Sequence, residues 1–401
     1  MTQATDITAP QPSADTNLIG AVSAAHFMSH FYMLLLPPLF LFVRDDYGVS
    51  FTELGIALAV FNVVSAVFQT PAGFLVDRMS ARNVLIVGLL MQVVAFAVVA
   101  LTNSFWLLVA MFALAGLGNT VYHPADYALL SRHVRSERIG QAYSIHSFAG
   151  YAGTAAAPVC MLLMHSLWGW RGAFLASALV SVVIAGWLLT LRDEPTTSAT
   201  TRQSNGETAA WSLLLSEPIL RNLFFYVLLA IFTGGIANYL VVALHALHGT
   251  AVDIGNTVLT AYLTASAIGV LAGGFVAART TRHVGVAAIG LSVATVLTLI
   301  IAFIDLSLVP LFLLMVVSGF FSGAIVPSRD MIVRESTPPG SFGKVFGFVS
   351  TGFNIGGTVA PMIFGMLMDH GSPRMVFIVV AAALLLCIAT IVTGTRKIAA
   401  V

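Results

Sequence analysis

The chain has 401 residues, of which 58% are hydrophobic and only 9% charged, and its mean hydropathy is +0.94. Soluble globules carry roughly 25% charged residues, so so sparse a charge excludes a water-exposed surface and calls for lipid around most of the molecule. A net charge of +1, from 18 basic and 17 acidic residues, supplies no field for a polyanion and argues against nucleic acid as a partner.

Residues 1–17 are polar and lack Lys and Arg, unlike the basic start of a cleaved signal peptide, and read as a disordered tail. About 20 apolar residues cross a ~30 Å hydrocarbon core as a helix. Such runs are predicted at 18–43, 52–76, 83–101, 105–130, 140–166 and 172–191, then at 218–244, 256–278, 284–304, 309–332, 343–368 and 373–394. The fold class is therefore an all-α membrane protein with twelve transmembrane helices. The polar stretch RDEPTTSATTRQSNGETAAWS separates two bundles, 18–191 and 218–394, so 192–217 is read as a linker and 395–401 as a second tail. Cys160 and Cys387 lie inside apolar runs and make neither a disulfide framework nor a CxxC pair.

If the first helix runs from inside to outside, 15 of the 18 basic residues fall on one side, and only Arg44, Arg171 and Arg374 on the other. This bias predicts cytoplasmic termini and a cytoplasmic linker. A shift of 203 residues maps Pro124 to Pro327, Gly140 to Gly343, Gly153 to Gly356, Pro158 to Pro361, Arg171 to Arg374 and Phe174 to Phe377. Six helices per copy give both copies the same polarity, and parallel repeats place a solute cavity between the halves near the midplane.

After the second span stands GFLVDRMSARNVL, residues 73–85, which resembles a cytoplasmic signature of the major facilitator superfamily of secondary transporters. Gly73, Asp77, Arg78 and Arg82 match it, and Ser80 replaces its second Gly. The resemblance implies a gating motif in which Gly73 lets helices approach and Asp77 caps or pairs across the half. The repeat copy GFVAARTTRH keeps Arg279 and Arg282 but has Ala278 in place of the acid. Residues 116–128, GLGNTVYHPADYA, and 140–158, GQAYSIHSFAGYAGTAAAP, are similar to the fosmidomycin-resistance branch, whose hallmarks are a His-Pro, here His123 and Pro124, and a His in the first helix, here His26. At His30, preceded by Ser29, the chain departs from the branch, which carries an acid after Asn.

Ionisable groups inside hydrocarbon are functional candidates because burial costs them several kcal/mol. His26 and His30, four apart, share one helix face, and the resemblance lets them converge with His123 and His146 on a cavity wall. Imidazoles titrate near physiological pH and suit a coupled proton or a bound anion. A divalent metal is a lesser reading, since the one carboxylate at hand is Asp126 and Cys160 lies deeper; no metal ligand set is assigned. Asp126 is expected to face Arg329 across the inner gate. Asn238, Tyr239 and Asn354 are candidate solute contacts, Asn62 is expected to join helices, and Gln69, Asn119 and Tyr262 to point inward. Pro158 and Pro361 are expected to kink their helices.

The expectation is a proton-coupled exporter of a small polar or drug-like solute in a bacterial inner membrane. It works by rocking of two halves as a monomer, with the proton gradient as energy source and no cofactor. Its alternatives are an organic-anion importer, a metal transporter and, from another class, a membrane-embedded enzyme or receptor. No HExxH, GxSxG or Gly-rich phosphate loop occurs, so an enzyme is not expected.

Overall fold

The computed structural model describes residues 12–135, 138–191, 212–338 and 342–398. The predicted tail up to residue 11, the linker from 192 to 211 and the last three residues lie outside the described residues. The elements in chain order are α1 (Pro12–Met33), α2 (Phe40–Tyr47), α3 (Phe51–Arg78), α4 (Ala81–Leu101), α5 (Phe105–Asn119) and α6 (Tyr122–His133). They continue with α7 (Ile139–Leu189), α8 (Glu217–His248), α9 (Val252–Ala277), α10 (His283–Phe303), α11 (Leu308–Glu335), α12 (Phe342–Asp369) and α13 (Pro373–Ile398). No strand occurs among the described residues.

These helices make twelve crossings. α1 and α2 together form the first, joined by a single 3-10 turn at Pro37–Leu39, and α5 and α6 together form the fourth. α7, at 51 residues, is twice the length of a span, and Gly169 inside it has φ 69° and ψ 174°, outside helical space. Without a Cβ, glycine takes this conformation at no steric cost. The chain turns back there: Arg138 at the start of α7 and Trp187 near its end both bond to the first turns of α1, at Thr16 and Asn17. α1 starts at Pro12, six residues before the predicted span. Proline's fixed φ suits a helix start, and Asp15 in the first turn is buried against Arg135, 2.8 Å away, and Arg138, 3.8 Å away.

Close packing without a hydrophobic drive between helices rests on small residues and buried polar pairs. Gly269 and Gly273 on α9 pack on the Phe320 and Ala324 carbonyls of α11, and Gly319 and Gly323 on α11 pack on the Tyr262 and Ser266 carbonyls of α9, so the two backbones meet closely. In the first bundle, Tyr32 donates to Ser181 Oγ at 2.6 Å and Tyr122 to Gln92 Oε1 at 2.6 Å, each in the buried interior.

The two bundles meet mainly through α3 against α12 and α7 against α9. Along α3 the contacts with α12 lie in its first half. Asp369, at the end of α12, accepts from Phe51 N and Thr52 N at 2.8 Å each and from Thr52 Oγ1, capping the start of α3. Gly365 packs on the Phe51 carbonyl and Gly55 on the Pro361 carbonyl. Pro361 has no N–H, which orphans the carbonyl four residues earlier, at Gly357; Asn62 Nδ2 supplies the missing donor at 3.1 Å across the interface. Beyond Asn62 the halves diverge, and Val67, Phe68, Gln69 and Thr70 are exposed. The molecule is therefore closed at the end bearing Asp46, Arg171 and Asp369 and open at the end bearing Asp15 and Arg82.

Two outcomes follow from these contacts. A methyl added at Gly323 would sit 1.9 Å from the Ser266 carbonyl oxygen, so Gly323→Leu should cost at least the ~1–3 kcal/mol of overpacking, read as a lowered melting temperature in detergent. Hydrogen bonds to charged groups contribute about 1.5–3 kcal/mol each, so Asp369→Ala should open the closed end. Spin labels at Asp45 and His370, in a chain with both cysteines replaced, should gain a longer-distance population; an unchanged distribution would refute the latch.

Candidate functional site

The fourth crossing breaks between α5 and α6, at Thr120 and Val121, where Thr120 Oγ1 turns back to the Leu117 carbonyl at 2.7 Å. Pro124 lies in the first turn of α6, where a missing N–H costs no intrahelical bond. The His-Pro pair thus marks a helix restart, which delivers His123 and Asp126 beside α1 and α7. On α1, His26 and His30 project from one face toward α7. There Gly150 and Gly153 admit them: a methyl at Gly150 would meet His26 Nε2 at 2.9 Å, and one at Gly153 the Phe27 carbonyl at 2.1 Å.

The four imidazoles converge as the sequence anticipated. His26 stacks on His146 with ring centroids 3.8 Å apart, and lies edge-on to His30 at 4.7 Å and to His123 at 5.2 Å. Asp126 is beneath them, with no solvent exposure. His26 Nδ1 lies 3.1 Å from Asp126 Oδ2, within hydrogen-bond distance, and His146 Nε2 lies 3.9 Å from the same oxygen. His30 Nδ1 reaches Thr154 Oγ1 at 3.3 Å. His123 is exposed, with Tyr127 stacked on it and edge-on to His146, so the cluster runs from a sealed carboxylate to an exposed imidazole. Asp126 Oδ1 and both ring nitrogens of His146 are buried without a hydrogen-bond partner.

The second bundle presents a different wall. Arg329 does not face Asp126. Its guanidinium bonds Asp330 at 2.8 Å and lies over the rings of Tyr226, at 4.9 Å, and Phe353, at 5.3 Å. Each charge has its partner within its own bundle. Tyr226 donates to Asp330 Oδ1 at 3.0 Å, completing a polar box around the cation.

Other predicted contacts resolve differently. Tyr239 is fully buried and donates to the Pro361 carbonyl at 2.6 Å, so it closes the interface and does not line a solute path. Asn62 joins helices, as expected. Asn238, Asn119 and Asn354 are half-buried, Tyr262 is buried, and Gln69 is exposed on the diverging part of α3. In the gating motif, Arg82 donates to the Leu191 carbonyl and to Asn83 Oδ1, joining the start of α4 to the end of the sixth crossing. Gly73 has open space where a side chain would stand, and Arg78 is exposed, so neither makes the close approach expected of the motif while this end is open. The Asp77 side chain lies outside the described residues. Sequence reasoning missed Asp369, Gly150 as the seat of the imidazoles, and the Tyr226–Phe353 box; only their place in the assembled bundle reveals them.

Twelve crossings in two parallel halves that meet at one end and diverge at the other fit the class of secondary transporters. The family model of the Major Facilitator Superfamily matches residues 22–255 and 223–398, and the chain belongs to that superfamily. It is 25% identical over 386 residues to the fosmidomycin resistance protein of Escherichia coli K12, covering 93% of this chain and 92% of the relative. It is 26% identical over 160 residues to multidrug resistance protein MdtH of Yersinia enterocolitica, about 39% of each chain. Among solved structures it resembles a bacterial homolog of the human lysosomal transporter Spinster, in an inward-facing and occupied conformation, with a TM-score of 0.82, 14% identity and coverage of 97% and 98%. A mutant of the nucleoside transporter NupG gives a TM-score of 0.80 at 14% identity, covering 94% and 99%. The protein is thus an integral membrane transporter of small molecules, not an enzyme.

Gly150→Val should displace His26 and His30 by about the width of a methyl group while leaving the helices intact. The expected result is a monodisperse, fully helical protein that has lost solute transport; retained transport would separate the imidazoles from the solute path.

Proposed function

We propose that this transporter exports a small polar or drug-like solute in exchange for protons, through rocking of its two bundles, in a bacterial inner membrane with both termini in the cytoplasm. The observation that carries this reading is the cluster in which His26 is hydrogen-bonded to buried Asp126, His146 lies 3.9 Å from the same carboxylate oxygen, and exposed His123 stands beside them. Imidazole accepts and releases protons near neutral pH, and a buried carboxylate under it holds the proton in place between the two gated states. The Arg-rich side supports the orientation. With it, the open end faces the cytoplasm, the state in which an exporter loads solute. The relatives named for fosmidomycin and multidrug resistance support export.

A second reading draws on Arg329. Imidazoles on one wall and a guanidinium on the other suit an organic anion such as a carboxylate, imported or exported according to the gradient.

Proteoliposomes loaded with fosmidomycin as first probe test the main reading. An imposed pH gradient should drive flux. Energetic coupling between sites runs at about 5- to 150-fold, so Asp126→Asn and His26→Ala should lower gradient-driven flux by about that factor while solute exchange without a gradient persists. Full gradient-driven flux in both variants would overturn proton coupling through this cluster.

A further inference from the structure

We propose that His26, His123 and His146 form a binding site for one divalent transition-metal ion of the zinc class, with Asp126 as the carboxylate that orients His26. Three helices, α1, α6 and α7, each deliver one imidazole, and one ligand atom from each lies within 4.8 Å of the others. The inference goes beyond proton coupling and does not rest on it.

The donor chemistry selects the ion. Neutral imidazoles suit Zn2+, Co2+, Ni2+ and Cu2+, whereas Mg2+ and Ca2+ require oxygen cages and Cu+ prefers sulfur. A metal-bound His almost always gives its other ring nitrogen to a carboxylate or carbonyl. His26 already does so: Nδ1 is engaged by Asp126, which leaves Nε2 directed at α7 beside Gly150. His146, 1% exposed, has both ring nitrogens buried and without hydrogen-bond partners, although neutral imidazole always carries one N–H donor and one acceptor. Two orphaned polar atoms in hydrocarbon are costly, and a metal ion satisfies one of them directly.

Geometry sets what must move. Zinc–nitrogen bonds of about 2.0–2.1 Å in a tetrahedron separate the ligand atoms by about 3.3 Å. The imidazoles therefore close in from 4.8 Å by ring rotation, and the stack of His26 on His146 opens. His123 is the exposed member of the three, while His26 and His146 are buried. All three ligands belong to the first bundle, so a bound ion ties α1, α6 and α7 together, leaves the rocking motion free, and places a positive charge on the cavity wall.

Cobalt is the spectroscopic probe. Full-length protein without a polyhistidine tag, purified in detergent, should bind one Co2+ per chain with visible ligand-field bands of low coordination number, displaced by equimolar Zn2+. His146→Ala and His146→Gln should each abolish the bands, and Asp126→Asn should weaken Co2+ binding about 10- to 100-fold. His370→Ala, at the exposed far end of the molecule, should change nothing. Size-exclusion profiles and helical circular dichroism report folding, and the Gln variant keeps the side chain's bulk if Ala does not fold. No saturable one-to-one signal in the wild type would overturn the site, as would bands that survive in the folded Gln variant. Either failure leaves the proton-coupling reading untouched, since that is read from gradient-driven flux without added metal.

Discussion

A carboxylate with no solvent exposure inside a membrane bundle must be neutralised or paired, because the hydrocarbon around it offers no water to do so. Asp126 meets that demand through His26, and the rest of the first bundle is arranged so that it can. The helix restart at Tyr122 aims Asp126 inward. The small residues Gly150 and Gly153 bring α7 against α1, and the four-residue spacing of His26 and His30 turns both rings toward α7, with His26 on the acid. His30 continues the chain of polar contacts to Thr154, and His123 carries it to the open side. Any residue that moved the rings away would leave a bare acid in an apolar interior.

The internal repeat makes this arrangement more informative, because the two halves share a scaffold but not a chemistry. Under the 203-residue shift, His26, His123 and His146 correspond to Leu229, Val326 and Val349, and Asp126 corresponds to Arg329. One copy became an imidazole cluster over an acid. The other kept a single cation and enclosed it with Asp330, Tyr226 and Phe353. The backbone-shaping residues, by contrast, survive in both copies: Pro158 with Pro361, Gly153 with Gly356, Arg171 with Arg374. Packing constrains both halves alike, while the polar side chains differ between them.

At the closed end, the same accounting of backbone polar groups holds the halves together. Pro361 deprives Gly357 of its donor and Asn62 replaces it from the other bundle. The free N–H groups at the start of α3 find Asp369 in the same way. Each of these bonds joins the two bundles, so opening that end would break them.

How much of this was legible beforehand depends on the range of the forces concerned. Hydrophobic run length, the bias of Arg and Lys to one side and the repeat offset are local or statistical properties, and they determined the membrane class, the number of crossings and the parallel halves without any coordinates. The imidazole cluster was foreseen too, since His26 and His30 share a face by helix geometry and the resemblance to known transporters supplied the neighbouring helices. The partners of Asp126, Tyr239 and Gly73 were not, because each depends on how the helices pack in three dimensions. Asp126 lies against His26 and not Arg329, Tyr239 caps a carbonyl freed of crowding by Gly55, and Gly73 stands in open space. By itself the sequence determined what must be buried in lipid; only the tertiary structure decided which buried polar group answers which, since those pairs join residues up to some three hundred positions apart.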